Sequence, residues 1–387
     1  MKKLTHLQRT RVAVFLFYII QGICFASWAS RIPSIKGMLD ISDAKWGTIL
    51  LMLSVGEIAG MSLSGFVISK FGSRTIIPFA LLGHVLAFAC LGFSSTLEML
   101  CISLVLFGFT ANFYNISLNT QGINVEREYG KSIMATFHGG WSVAGAIASG
   151  IGMVMIGLKV APSYHFLIII GLVILIFFTN YKYLLPDKKR DKSKDANRPK
   201  NANKPERFLF LLGVVAFFGM ATEGAMHDWS GLYYEHVIHA PDALILMGFF
   251  AYMITMSISR FGVDALTRRL GKKSVLQLSG VCIFLGLMLA VLVPNLYLST
   301  IGFMIVAMGT SSIAPTAYSA AGQNTKISSS MALMIVSSIG FLGYLIGPPM
   351  IGYISHVTNL RYSYALIGLF GIGIIIVSQY IAVLRKR

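Results

Sequence analysis

Charge is scarce in this chain, and acidic charge most of all. Only 12% of its 387 residues are Asp, Glu, Lys or Arg, with 15 acidic against 32 basic. A chain so poor in charge and 55% hydrophobic cannot hide that apolar surface in a soluble core of ordinary size, so it belongs in lipid. Cysteine is rare too. Cys24, Cys90, Cys101 and Cys282 fall in apolar stretches with no paired metal-ligand spacing, which leaves them as small core residues. No Walker-type phosphate loop is present, which argues against ATP as the direct energy source. No nucleophile, base and metal ligands converge beyond the pair Glu223 and His227, so neither an enzyme nor a metal or organic cofactor is expected.

What the chain has in abundance is apolar runs long enough to cross about 30 Å of hydrocarbon. Twelve are expected, at 11–29, 45–69, 75–94, 98–122, 133–157, 164–184, 207–234, 243–266, 274–293, 296–321, 329–354 and 362–384. Such runs are continuous, unlike the short alternating segments of a twelve-strand barrel, the weaker reading. The first run follows a basic stretch and resembles a signal peptide, but eleven further spans favour an uncleaved first helix.

The halves repeat. Trp28/Trp229, Gly72/Gly271, Gly122/Gly322 and Gly139/Gly340 are offset by 201, 199, 200 and 201 places. The expected fold is an all-α integral membrane protein whose twelve helices form two pseudo-symmetric six-helix bundles, residues 1–185 and 207–387. Residues 186–206, charged, rich in Asn and Pro and almost free of apolar side chains, read as a basic linker. The net charge of +17 follows this topology. With the N-terminus inside, 26 of the 32 basic residues fall on cytosolic segments, so both termini are expected in the cytosol and nucleic acid is not needed as a partner.

Two short loops carry related patterns, Gly65-Phe-Val-Ile-Ser-Lys-Phe-Gly-Ser-Arg74 and Asp264-Ala-Leu-Thr-Arg-Arg-Leu-Gly-Lys-Lys273. These resemble the Gly-x-x-x-Asp-Arg-x-Gly-Arg-Arg signature of the major facilitator superfamily, which the repeat, the twelve spans and the basic linker also match. The resemblance implies a gating latch from Gly65, Lys70, Gly72 and Arg74 in one copy and Asp264, Arg269 and Gly271 in the other. The usual Asp is replaced by Ser69 and Arg268, which implies a weaker latch. A narrower resemblance rests on Trp28-Ala-Ser-Arg-Ile-Pro33, His138-Gly-Gly-Trp141, Glu223-Gly-Ala-Met-His-Asp-Trp-Ser230, Ser319-Ala-Ala-Gly322 and Gly347-Pro-Pro349. Together these look like the YbjJ-like branch, near the fucose-permease-like transporters.

An ionised carboxylate near the centre of a bilayer costs about 2.5–3.5 kcal/mol by insertion scales, which makes such groups functional candidates. Glu57, Glu223 and Asp228 fit, either as proton-coupling groups or as paired fixtures between helices. His227 shares a helical face with Glu223. Asn112, Asn115 and Asn119 form a stripe at i, i+3 and i+7, either interhelical packing or a wall for a hydroxylated solute. The superfamily resemblance places helices one, four, seven and ten around the cavity, so the asparagine face resembles a substrate wall; Gln21, Trp141, Trp229, Tyr252 and Tyr318 complete a cavity of amides and aromatic faces, and His138 and His227 join them as substrate-binding candidates. Arg31 and Arg260 lie near span ends, where snorkelling suffices. Trp28 reads as an interfacial anchor.

The expected function is a monomeric secondary transporter of the bacterial inner membrane, moving a sugar, polyol or similar solute by alternating access with proton coupling. A drug/proton antiporter is the alternative within transport, and a non-transporting receptor the reading outside it. The fucose-permease-like relatives carry coupling carboxylates in helices one and four, where this chain has Gln21 and asparagines, so any coupling site must lie elsewhere and simple uniport stays open.

Overall fold

A computed structural model describes residues 6–130, 133–186, 206–323 and 329–381. Inside a bilayer the backbone has no water to pair with, so a spanning segment closes its hydrogen bonds on itself as a helix. Among the described residues there is accordingly no strand, which removes the barrel reading.

Seven α-helices form the first half: α1 (His6–Ser30), α2 (Ile32–Met38), α3 (Asp43–Phe71), α4 (Ser73–Gly92), α5 (Leu97–Tyr129), α6 (Met134–Gly157) and α7 (Pro162–Asn180). Five form the second: α8 (Arg207–His236), α9 (Met247–Leu292), α10 (Leu296–Gln323), α11 (Ser329–Val357) and α12 (Leu360–Gln379). Among the described residues, twelve helical segments are long and apolar enough to span, the number the sequence predicts. The helix count and span count agree only because two departures cancel. The 7-residue helix α2 follows the first span, and the stretch numbered α9 holds two spans that meet at Gly271, a residue outside helical geometry. Nearly all of the expected linker, residues 187–205, lies outside the described residues.

The kink inside α9 is at Gly271, with φ 79° and ψ 157°, and its counterpart 199 places earlier is Gly72, with φ 89° and ψ 153°. Essentially only glycine occupies that region. The sequence repeat is therefore also a repeat of backbone conformation at the junction of consecutive spans.

The chain divides into two compact units, Met1–Asp40 with Ile49–Lys194, and Ile41–Thr48 with Asp195–Arg387. In the N-terminal unit α1 packs on α6, and α4 on α5. In the C-terminal unit α8 packs on α11, and the second part of α9 on α10. The order is the same in both: first span on fifth, third on fourth. Small residues let the backbones meet, as membrane packing without a hydrophobic drive requires. A Cβ on Gly108 would lie 2.1 Å from the Leu53 carbonyl oxygen, and one on Gly286 would lie 2.4 Å from that of Gly302. The start of α3 groups with the C-terminal unit, where Asp43 accepts from the Ser355 hydroxyl and Thr48 Oγ1 lies 3.0 Å from the Tyr353 hydroxyl.

Candidate functional site

Within the N-terminal unit a chain of neutral polar groups crosses from α1 to α5. The Tyr18 hydroxyl donates to Asn119 Oδ1 at 2.6 Å, and Asn119 Nδ2 donates to Asn115 Oδ1 at 2.8 Å, one helical turn back. Tyr18 is buried and both asparagines are half-buried. The exposed His138 on α6 sits edge-on to the Tyr18 ring at 5.2 Å, and Trp141 lies 6.0 Å from Phe25. Gln21, half-buried, follows Tyr18 by three residues on α1. The three asparagines of the stripe do not share one partner. Asn112 instead accepts from Ser64 Oγ on α3 at 3.1 Å, because a different helix neighbours α5 at that level. Glu57, half-buried, lies seven residues before Ser64 on the same face of α3.

Within the C-terminal unit the polar centre is charged. Arg260 Nη2 on α9 lies 3.4 Å from Glu223 Oε1 on α8, with side-chain exposures of 30% and 11%. Tyr344 on α11 hydrogen-bonds the same carboxylate. Tyr252 and Tyr318 stand within electrostatic range of it, and the Tyr252 hydroxyl pairs with Thr310 Oγ1 at 2.9 Å. His227, one turn beyond Glu223, is buried with its ring edge-on to Phe249 and Tyr252 at 6.0 and 5.8 Å. Four helices thus converge on one carboxylate. An ion pair drawn from water is costly to assemble and costlier to leave half-made, so Glu223 and Arg260 stand or fall together.

The remaining candidates are placed as follows. Asp228, half-buried on α8, lies in electrostatic range of Tyr364 on α12. Trp229 is fully buried. Trp28 is fully buried as well, which corrects its reading as an interfacial anchor: it belongs to the interior packing at the end of α1. Arg31 is 2% exposed and its Nε donates to His165 Nδ1 on α7 at 3.0 Å, so it does not snorkel. That bond makes Nδ1 the bare nitrogen of a neutral imidazole. Burial lowers the Arg31 pKa to about 10, which keeps it charged at neutral pH. Arg260 is likewise tied inward, to Glu223, instead of reaching for the interface.

Of the gating candidates, Gly65, Lys70 and Arg269 are exposed. Arg74 Nη2 donates to the Lys182 carbonyl at 3.5 Å and its guanidinium lies 5.7 Å from the Tyr181 ring centre. Gly72 and Gly271 are the two kinks, and the side chain of Asp264 lies outside the described residues. Sequence reasoning missed Tyr18, Thr310 and Tyr344, and did not pair Arg260. A signal for the last was present: a cation inside a span calls for an intramembrane partner, and Glu223 is the carboxylate of the preceding span nearest mid-depth.

Comparison with known proteins agrees with this architecture. A family model described as Major Facilitator Superfamily matches residues 12–326. An uncharacterized MFS-type transporter of Yersinia pestis is 27% identical over 359 residues, 93% of this chain and 92% of the relative. Membrane protein MosC of Rhizobium meliloti is 30% identical over 385 residues, 98% of this chain and 91% of the relative. Among solved structures, a bacterial homolog of the human lysosomal transporter Spinster superposes with a TM-score of 0.80 over 97% of both chains at 12% identity.

Proposed function

The chain belongs to the major facilitator superfamily and is a multi-pass membrane transporter, and we propose that it moves a small polar solute by alternating access with proton coupling through Glu223. The observation that carries this reading is the pairing of Glu223 with Arg260 inside a ring of tyrosines from α9, α10 and α11. A carboxylate held by a guanidinium in a mostly dry setting has two stable arrangements. In one it is ionised and bound to Arg260. In the other it is protonated, neutral, and no longer a counter-charge. Loading a proton therefore releases Arg260, whose fork of N–H donors then turns to acceptor oxygens on a solute. Proton and solute are linked because both compete for the same ion pair.

The groups facing Glu223 are Arg260 and Tyr252 on α9, Tyr318 on α10, Tyr344 on α11 and His227 on its own helix. The N-terminal unit contributes the Tyr18–Asn119–Asn115 chain, which offers donors and acceptors without charge and suits hydroxyls on a sugar, polyol or related metabolite. The basic segments favour a bacterial inner membrane with both termini in the cytosol, and the transporter is proposed to act as a monomer.

Thermal unfolding of the purified protein with neutral sugars and polyols, anions and cationic drugs, at two pH values, tests the substrate class. Stabilisation by a polyhydroxylated solute that depends on pH and on Glu223 is expected. Stabilisation only by cationic drugs would favour the exporter reading instead.

A further inference from the structure

On the outer flank of the N-terminal unit, α4 and α7 part to leave an apolar groove of about 320 Å³, lined by Pro78, Leu82 and Val85 on one side and Ile174, Phe177 and Phe178 on the other. Leu82 and Phe178 are 60% and 74% exposed. Both helices are membrane spans, so the groove opens to hydrocarbon.

Cations cluster one helical turn past one end of the groove. Arg74 stands four residues before Pro78, and Lys182 four residues after Phe178. Each is laid over a phenol ring, Arg74 over Tyr181 at 5.7 Å and Lys182 over Tyr183 at 5.2 Å, and Arg9 of α1 lies over Tyr183 from 5.7 Å.

The frame beneath these charges is fixed by hydrogen bonds. Pro78 has no N–H, so the Arg74 carbonyl loses its partner four residues on. The Tyr181 hydroxyl takes that place, donating to the Arg74 carbonyl oxygen at 3.3 Å. Behind it the buried side chain of Gln121 donates to Ser73 Oγ at 2.9 Å and to the Leu185 carbonyl at 3.0 Å, and accepts from the Leu185 N–H at 3.0 Å. The start of α4 and the segment after α7 are thereby clamped to α5. One proline thus lines the apolar groove and leaves the carbonyl by which Tyr181 tethers its basic end.

We propose that this groove seats one acyl chain of an anionic glycerophospholipid whose headgroup phosphate rests on Arg74 and Lys182. Three like charges gathered at a membrane surface favour an anion there, and a guanidinium beside an ammonium suits phosphate oxygens. A free phosphate would meet the cations and leave the groove unused. An uncharged lipid would fill the groove and leave the cations unused. An anionic phospholipid meets both. Arg74 follows the Gly72 kink by two residues, so the lipid would sit against the junction of α3 and α4.

The test is lipid retention by the full-length protein, read by native mass spectrometry from detergent micelles carrying equal phosphatidylglycerol and phosphatidylcholine, with thermal unfolding alongside. Wild type is expected to retain one phosphatidylglycerol with a preference of roughly thirtyfold, from two cations near the surface. Lys182→Gln should reduce that preference severalfold and Arg74→Gln/Lys182→Gln should abolish it, with phosphatidylcholine retention unchanged. Leu82→Trp, which fills the groove, should lower retention of both lipids. Equal retention of the two lipids by wild type, or undiminished preference in the double variant, would overturn the proposal. So would stabilisation by inorganic phosphate equal to that by phosphatidylglycerol. Should Leu82→Trp fail to fold, Lys182→Gln decides alone, because that exposed side chain lies outside the packing.

Discussion

The two units share a helix order and a glycine kink between consecutive spans, yet their interiors hold different chemistry. In the N-terminal unit the buried polar chain is neutral, phenol to amide to amide, from Tyr18 through Asn119 to Asn115. In the C-terminal unit the buried polar centre is an ion pair, Glu223 with Arg260, ringed by hydroxyls. A neutral network keeps its hydrogen bonds at any physiological pH. A carboxylate paired with a guanidinium changes partner when it gains a proton. On the proposed reading duplication supplied the frame twice, and divergence gave recognition to one copy and coupling to the other.

The comparison is most exposed at the ion pair. Arg260→Ala leaves Glu223 without its cation and is expected to destabilise the C-terminal unit by about 2 kcal/mol, below the 3–5 kcal/mol of a fully buried pair because Arg260 is 30% exposed. Most of that loss should vanish in the Glu223→Gln/Arg260→Ala double variant, measured by thermal unfolding in detergent. A loss of the same size in both backgrounds would show that Arg260 acts by packing and not by charge.

Next in size are the kinks, where the units should behave alike. Gly72→Ala and Gly271→Ala each place a Cβ where φ is 89° or 79°, at a cost on the order of 1–3 kcal/mol. Matching losses in the two variants are expected from denaturation curves. A loss at only one position would mean that the repeat is not kept in the strength of its junctions.

The smallest effect belongs to the amide chain. Asn119→Ala should weaken binding of a hydroxylated solute roughly fivefold, about 1 kcal/mol for a hydrogen bond, and leave the pH dependence of binding unchanged. A shift in pH dependence would assign coupling to the N-terminal unit as well.

The spans were legible because a bilayer imposes length and apolarity on every crossing segment, so composition alone locates them. Helix α2 was missed because seven residues after a span read as loop, whereas the two spans of α9 were legible because Gly271 leaves helical geometry between them. The site was legible in kind and not in connection. Glu223 is conspicuous as a carboxylate in a span, but its partner Arg260 is 37 residues away, and a cation near a span end passes for a snorkelling one. Helical spacing put Asn112, Asn115 and Asn119 on one face, yet their partners lie on two different helices, α3 and α1. Trp28 and Arg31 misled for the same reason: depth along a span is readable from sequence, whereas the direction a side chain faces depends on which helix lies beside it.

Division of labour between the units rests on a carboxyl in the C-terminal unit that gains and loses a proton, and infrared difference spectroscopy of the protein in lipid reads this without a known substrate. Stepping the pH from alkaline to acid should raise a protonated-carboxyl band in wild type and in Asn119→Ala, and the component of that band contributed by Glu223 should be missing in Glu223→Gln. The same band in Glu223→Gln as in wild type, or none in wild type, would contradict the account.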